Sequence, residues 1–179
     1  MKEKAMKLLL TAIFACILWA CDSTASDDIR ADYLRQYIGR DINKVLVADM
    51  EGGMVTFGEL LQGKPMLLNL WATWCPPCIE EFPSLNALGQ QGEFDVVAMS
   101  IDHKRETVAN FLGKSQLDTS GMQLLHDASA RATRTSLGAS QYPTTYVVSP
   151  AGKIVGIYTG LRDWTDAKLL EKVRNNLKE

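Results

Sequence analysis

The period of the apolar positions changes repeatedly along the chain, and each change marks an element. Residues 65–72 (PMLLNLWA) and 94–101 (FDVVAMSI) are near-continuous apolar runs of strand length, the pattern of strands buried on both faces. Between them, PCIEEFPSLNALGQQ (77–91) reads as a helix. In KRETVANFLGKSQL (104–117) Val108, Phe111 and Leu112 share one helical face. MQLLHD (122–127) predicts a short strand, and ASARATRTSLG (128–138) a helix closed by Gly138. PTTYVVSP, AGK and IVGIYTG predict strand, turn and strand over 143–160. DWTDAKLLEKVRNNL (163–177) closes the chain as a helix, with Asp163 as its cap candidate and Leu169, Leu170 and Val173 facing inward.

Upstream, KVLVAD (44–49) and MVTF (54–57) flank the turn signal MEGG and predict a β-hairpin, followed by one helical turn at GELLQ (58–62). Residues 28–38 place Ile29, Tyr33, Leu34, Tyr37 and Ile38 on one face of a helix expected to dock on the domain. A strand–helix–strand order implies parallel pairing through a right-handed crossover. The later hairpin adds antiparallel strands. The expected class is therefore α/β, a mixed sheet with helices on both faces.

With 179 residues, 46% of them hydrophobic, the chain can build one ordinary domain with a core. A formal charge of -2 and the lack of a basic tract in the sequence argue against nucleic acid as a partner.

The N-terminus departs from this pattern. A basic MKEKAMK precedes the apolar LLLTAIFACILWA and the small, polar CDSTASDD, the layout of a signal peptide. The apolar run is shorter than the roughly 20 residues that span a bilayer; an uncleaved anchor helix is the alternative. LWAC, with Leu18 three before Cys21 and Ala20 directly before it, resembles the bacterial lipobox, and IFAC at Cys16 is a weaker second candidate. The expected layout is 1–20 lipoprotein signal peptide, 21–40 tether and short helix, and 41–179 the α/β domain. Export would place the chain where disulfides persist. With Cys16 removed and Cys21 lipidated, only Cys75 and Cys78 remain free.

Those two lie in WATWCPPC, at the start of a helix that follows a buried strand. The thiolate is the reactive form of cysteine. Helix N–H groups and the macrodipole favour negative charge there, so the pKa of Cys75 should fall. Structural zinc wants four ligands, and His103 and His126 lie on separate segments, so no metal is expected. A purely structural disulfide over so short a loop would add little stability. The redox reading is preferred.

NLWATWCPPCIEEFPSL together with QYPTTYVVSPAGKIVG resembles the thioredoxin superfamily, and more narrowly the membrane-tethered TlpA/ResA-type thiol–disulfide oxidoreductases, over residues 44 to 179. The resemblance implies a thioredoxin fold, a mixed central sheet flanked by helices with an N-terminal β-hairpin extension. It implies catalytic Cys75 and Cys78, forming a redox-active disulfide, and a cis Pro143 facing them. Trp74, Pro76, Pro77, Tyr142 and Pro143 would meet the substrate peptide. Many thioredoxins carry a buried Asp six residues before the first cysteine; here Asn69 stands there and cannot accept a proton. The ResA-type pattern instead has a Glu three after the second cysteine, here Glu81, expected to take the proton of Cys78. Pro76 and Pro77 lack N–H groups, which leaves the Cys75 thiolate fewer donors and points to a more reducing couple. No cofactor is expected. The implied client is a disulfide-bearing exported protein such as apocytochrome c, and the implied electron donor a membrane thiol-transfer protein. Asp22 after Cys21 resembles an inner-membrane retention signal. A monomer, lipid-anchored at the periplasmic face of the inner membrane, is expected. The competing readings are a disulfide oxidase or isomerase and a non-enzymatic metallochaperone-like module. A peroxiredoxin would want a Thr three before its cysteine, and Thr73 lies two before Cys75.

Overall fold

The computed structural model describes residues 32–178. The expected signal peptide, Cys21 and Ile29 lie outside the described residues. Leu34–Glu179 forms one compact unit. Its strands are β1 (Leu46–Asp49), β2 (Met54–Thr56), β3 (Met66–Trp71), β4 (Asp95–Ser100), β5 (Met122–His126), β6 (Thr144–Val148) and β7 (Ile154–Thr159), and its helices α1 (Phe57–Leu60), α2 (Pro76–Gln91), α3 (Arg105–Ser115) and α4 (Ala167–Asn176). The strands form one sheet in the order β2-β1-β5-β4-β3-β6-β7. β3, β4 and β5 run parallel, while β6, β7 and the β1–β2 hairpin are antiparallel additions.

Residues of a strand alternate between faces, and this divides the core in two. Met66, Leu68 and Leu70 of β3 pack with Val97, Met99, Tyr146 and Val148. Leu67 and Trp71 pack on the opposite face with Val96, Ala98 and Val147. The β3–α2–β4 and β4–α3–β5 crossovers step across the sheet in one direction. Right-handed crossovers then put both helices on one side. Phe82 and Leu85 of α2, Val108 of α3, and Leu170 and Val173 of α4 fill that face. The other face is closed by Leu34, Tyr37, Phe57 of α1, Ala132 and Leu137. The long helices thus share one face rather than dividing between two.

Three local expectations differ from the structure. The helix expected over 128–138 is only a π-helical turn, Ala132–Ser136. Ala130 has φ 51°, and the Asp127 carboxylate accepts from Arg131 N (3.0 Å) and Thr133 N (2.8 Å), so winding starts late. At the far end Gly138 has φ +72°, and the Tyr37 ring fills the place a Cβ would take. Second, α4 starts at Ala167 with Asp166 as its cap, accepting from Leu169 N at 2.8 Å. Asp163 instead holds Thr165 N (2.9 Å) and Thr165 Oγ1 (2.6 Å) in the preceding turn. Third, the helical residues 32–35 give way to turns at 36–39. Leu34 and Tyr37 are buried there, while Tyr33 and Ile38 stay exposed.

Candidate active site

β3 ends at Trp71 and α2 starts five residues later, so the cysteines stand at the C-terminal edge of the parallel strands. Cys75 is the N-cap residue of α2, in an extended conformation, and Pro76 and Pro77 take the first helical positions, where no N–H is required. Cys78 N and Ile79 N donate to Cys75 O at 3.1 and 3.2 Å. The two sulfurs are joined as a disulfide, with Cα atoms 5.3 Å apart. Cys75 is 5% exposed and Cys78 fully buried, which makes Cys75 the sulfur that an incoming group meets first.

Trp74 projects beside them, 62% exposed. Its ring meets that of Tyr142 edge-on, centroids 6.1 Å apart. The Tyr142–Pro143 peptide is cis, and Pro143 is buried. Pairing of Leu70 with Thr144 sets this segment beside the strand that leads into the cysteines.

Behind the disulfide lies a buried polar cluster. Glu81 is 1% exposed, whereas Glu80 is exposed. Residues three apart share a helix face, so Glu81 lies on the side of Cys78. Glu81 Oε1 accepts from Asn69 Nδ2 at 2.6 Å, and Oε2 from Arg162 N at 3.2 Å. Asn69 Nδ2 also donates to Thr145 Oγ1 (2.9 Å), and Asn69 Oδ1 has no partner. Ser84 Oγ donates to Glu81 O (2.8 Å) and accepts from Trp164 N (3.1 Å), which ties the 161–164 loop to α2. Burial pushes the Glu81 carboxyl up to about 7, against the lowering pull of the Arg162 N–H, the Asn69 amide and the Arg162 charge. The Trp164 indole also lowers it, although its Nε1–H lies outside hydrogen-bonding geometry. A carboxyl near neutrality exchanges a proton at little cost in either direction.

The loop in front of the cysteines is held from β4. Asp102 accepts from Thr73 N (2.9 Å), Thr73 Oγ1 (2.7 Å) and Ser100 Oγ (2.8 Å). His126, buried, meets Asp102 O through Nε2 at 2.6 Å. The sequence assigned no role in this site to Asp102, Ser84, Thr145 or Arg162, and weighed Thr73 only for its spacing from Cys75. Only Asp102, at the end of a parallel strand, carried a signal; the others approach through pairings far apart in the chain. Among the described residues no three His, Cys, Asp or Glu side chains group to hold a metal, and no helix is long and apolar enough to cross a membrane.

Comparison with known proteins places this geometry in context. The model of the AhpC/TSA family matches residues 38–157. The thiol-disulfide oxidoreductase ResA of Bacillus subtilis is 27% identical over 164 residues, covering 89% of this chain and 88% of ResA. The thiol:disulfide interchange protein DsbE of Escherichia coli is 34% identical over 117 residues, 63% of each chain. A solved Chlorobium tepidum chain described as a thiol:disulfide interchange protein DsbE superposes with TM-score 0.65 at 24% identity, covering 78% of this chain and 97% of that one.

Proposed function

The chain belongs to the AhpC/TSA family and is a thiol–disulfide oxidoreductase of the ResA/DsbE type, and we propose that it works outside the cytoplasm as a reductant of protein disulfides. One observation carries this reading: a buried carboxyl poised near neutrality, Glu81, stands one turn from the inner cysteine of the pair.

The cycle starts from the dithiol. The Cys75 thiolate attacks one sulfur of the target disulfide, forming a mixed disulfide and releasing the other target sulfur as a thiolate. Cys78 gives its proton to Glu81 and attacks Cys75. The bond between Cys75 and the target breaks, and the target leaves with two electrons and both of its sulfurs as thiolates, one of which takes from solvent the proton that Cys75 had released. The proton held by Glu81 returns to a leaving thiolate through solvent. The enzyme is left as the Cys75–Cys78 disulfide, and a membrane dithiol-transfer protein returns two electrons. Pro76 and Pro77 remove two N–H donors from the first turn, so the Cys75 thiolate is less stabilised and the couple more reducing. Trp74, Tyr142 and Pro143 form the surface that meets the target peptide.

The location rests on residues 1–28, whose pattern supports a signal peptide, lipidation at Cys21 and a tether to the periplasmic face of the inner membrane. Apocytochrome c, or another exported thiol protein, is the proposed client. The test is turnover of an oxidised CxxCH peptide with a chemical dithiol as electron source. Glu81→Gln should slow it and Cys78→Ser should trap the mixed disulfide. A wild-type chain that oxidises the reduced peptide instead would overturn the reading.

A further inference from the structure

A groove of about 1060 Å3 opens along β1, away from the cysteines. Val45, Leu46 and Met54 give it an apolar floor, and Lys44, Arg105 and Arg131 stand around it. Among the described residues none of these three side chains makes an ion pair, and the salt bridge there is Arg174–Glu93. Arg105 Nε is buried without a hydrogen-bond partner. The two acids in the groove hold backbone N–H groups rather than these cations. Asp127 caps Arg131 N and Thr133 N, and Asp41 Oδ1 accepts from Asn43 N. The groove is thus lined by three cations against two carboxylates, a net positive charge in a chain whose formal charge is -2.

The groove also has an unfilled strand position. β5 ends at His126, and β1 pairs with it only through Ala48 and Asp49. Val45 O accepts from Phe57 N, and Asp49 N donates to Gly53 O. Odd-numbered residues of β1 therefore bond toward β2, and by alternation the backbone N–H and C=O of Leu46 point into the groove. An extended segment lying there would continue the ladder where β5 stops.

We propose that this groove docks an acidic, extended segment of the protein whose disulfide the enzyme reduces. The placement suits a client. Trp71, Ser100, His126 and Ala48 form one register row across β3, β4, β5 and β1. Three strand spacings make the row about 14 Å long, which about four extended residues cover. A client held in the groove can therefore present a cysteine at Cys75. The proposal rests on the reading that the partner is a protein, but binding can be measured without chemistry.

The test is fluorescence anisotropy of a labelled peptide alternating Glu and Val, and of its Lys-for-Glu counterpart, titrated with the oxidised full chain. The acidic peptide is expected to bind roughly ten-fold or more tighter, with the preference shrinking as salt rises. Lys44→Glu and Arg131→Glu, both at exposed positions that leave folding intact, should each weaken it several-fold, and the pair should reverse the preference. Equal binding of the two peptides, or indifference to both substitutions, overturns the proposal. So does absence of binding, including the case in which the acidic residues 22–28 of the chain itself hold the groove. Peptide binding in a chain that fails to reduce disulfides would instead contradict the function proposed above and leave the groove standing.

Discussion

Asn69 Nδ2 donates to Glu81 Oε1 across 2.6 Å in the fully buried layer between β3 and α2. The two residues come from a strand and the helix that follows it, on either side of the cysteine loop. Their contact replaces the strand carboxyl of many thioredoxins with a helix carboxyl that the strand merely holds. A neutral amide can neither take a proton from Cys78 nor repel Glu81 once it is charged. It fixes the carboxyl in place and leaves the titration to it.

The first consequence is a pH-dependent stability of the oxidised protein, in which the cysteines do not titrate. The Glu81 carboxyl has a folded pKa of about 7 against an ordinary value of 4.5. Between those values the folded state binds more protons than the unfolded one. The contribution is complete below pH 4.5, declines as pH rises, and is lost above 7. The span corresponds to about 3 kcal/mol. Urea denaturation of wild type should show this decline, and Glu81→Gln should flatten it. The exposed acids whose pKa values are lowered, Glu59, Glu93, Asp118 and Asp163, act at more acid pH and with the opposite sign.

Kinetics should separate the two chemical steps. In Glu81→Gln the attack of Cys75 on a small disulfide proceeds at a near-normal rate. Resolution of the mixed disulfide by Cys78 slows by on the order of 100-fold, the loss of one general base. Rapid-quench trapping of the mixed disulfide reads this directly, and in wild type the resolution rate should rise with pH through about 7.

Asn69→Asp tests the partition of roles. Two carboxyl groups at this contact cannot both ionise in a buried layer, so the pair would titrate in two steps with the upper one pushed above that of Glu81 alone, by about 1–3 units. Carboxyl-carbon NMR titration measures it. An upper step at or below 7 would show that the two groups do not meet.

Backbone crowding gives a stability contrast independent of the chemistry. A Cβ on Gly89 of α2 would collide with the Gly121 carbonyl oxygen, whereas a Cβ on Gly113 of α3 meets nothing within 4 Å. Gly89→Ala should cost about 3 kcal/mol or more. Gly113→Ala should stabilise by roughly 0.5–1 kcal/mol, the helix-propensity difference. Thermal melts of the two variants check the pair.

The strands were legible because β3 and β4 are buried on both faces and so run near-continuously apolar, broken inside β3 only by Asn69, and the hairpins because Gly-containing turns separate them. The cysteine pair was legible because its signal is local: strand, CPPC, helix. What stayed hidden is long-range or set by one side chain. Nothing in the residues 128–131 announces that Asp127 would turn back to cap Arg131 and Thr133 and shorten the helix. The choice of Asp166 over Asp163 as cap depends on Thr165, which occupies the Asp163 carboxylate first. Arg162 reaches Glu81 through 81 residues of chain, a contact made by the fold rather than by any motif.

The account stands on the Cys75–Cys78 couple being a reductant. Equilibrating the oxidised protein against thiol buffers and counting free thiols gives its reduction potential. A value of roughly -270 to -230 mV, at the thioredoxin end of the scale, is the expected result. A value of roughly -180 to -120 mV, the range of isomerases and oxidases, would contradict the direction of electron flow proposed here.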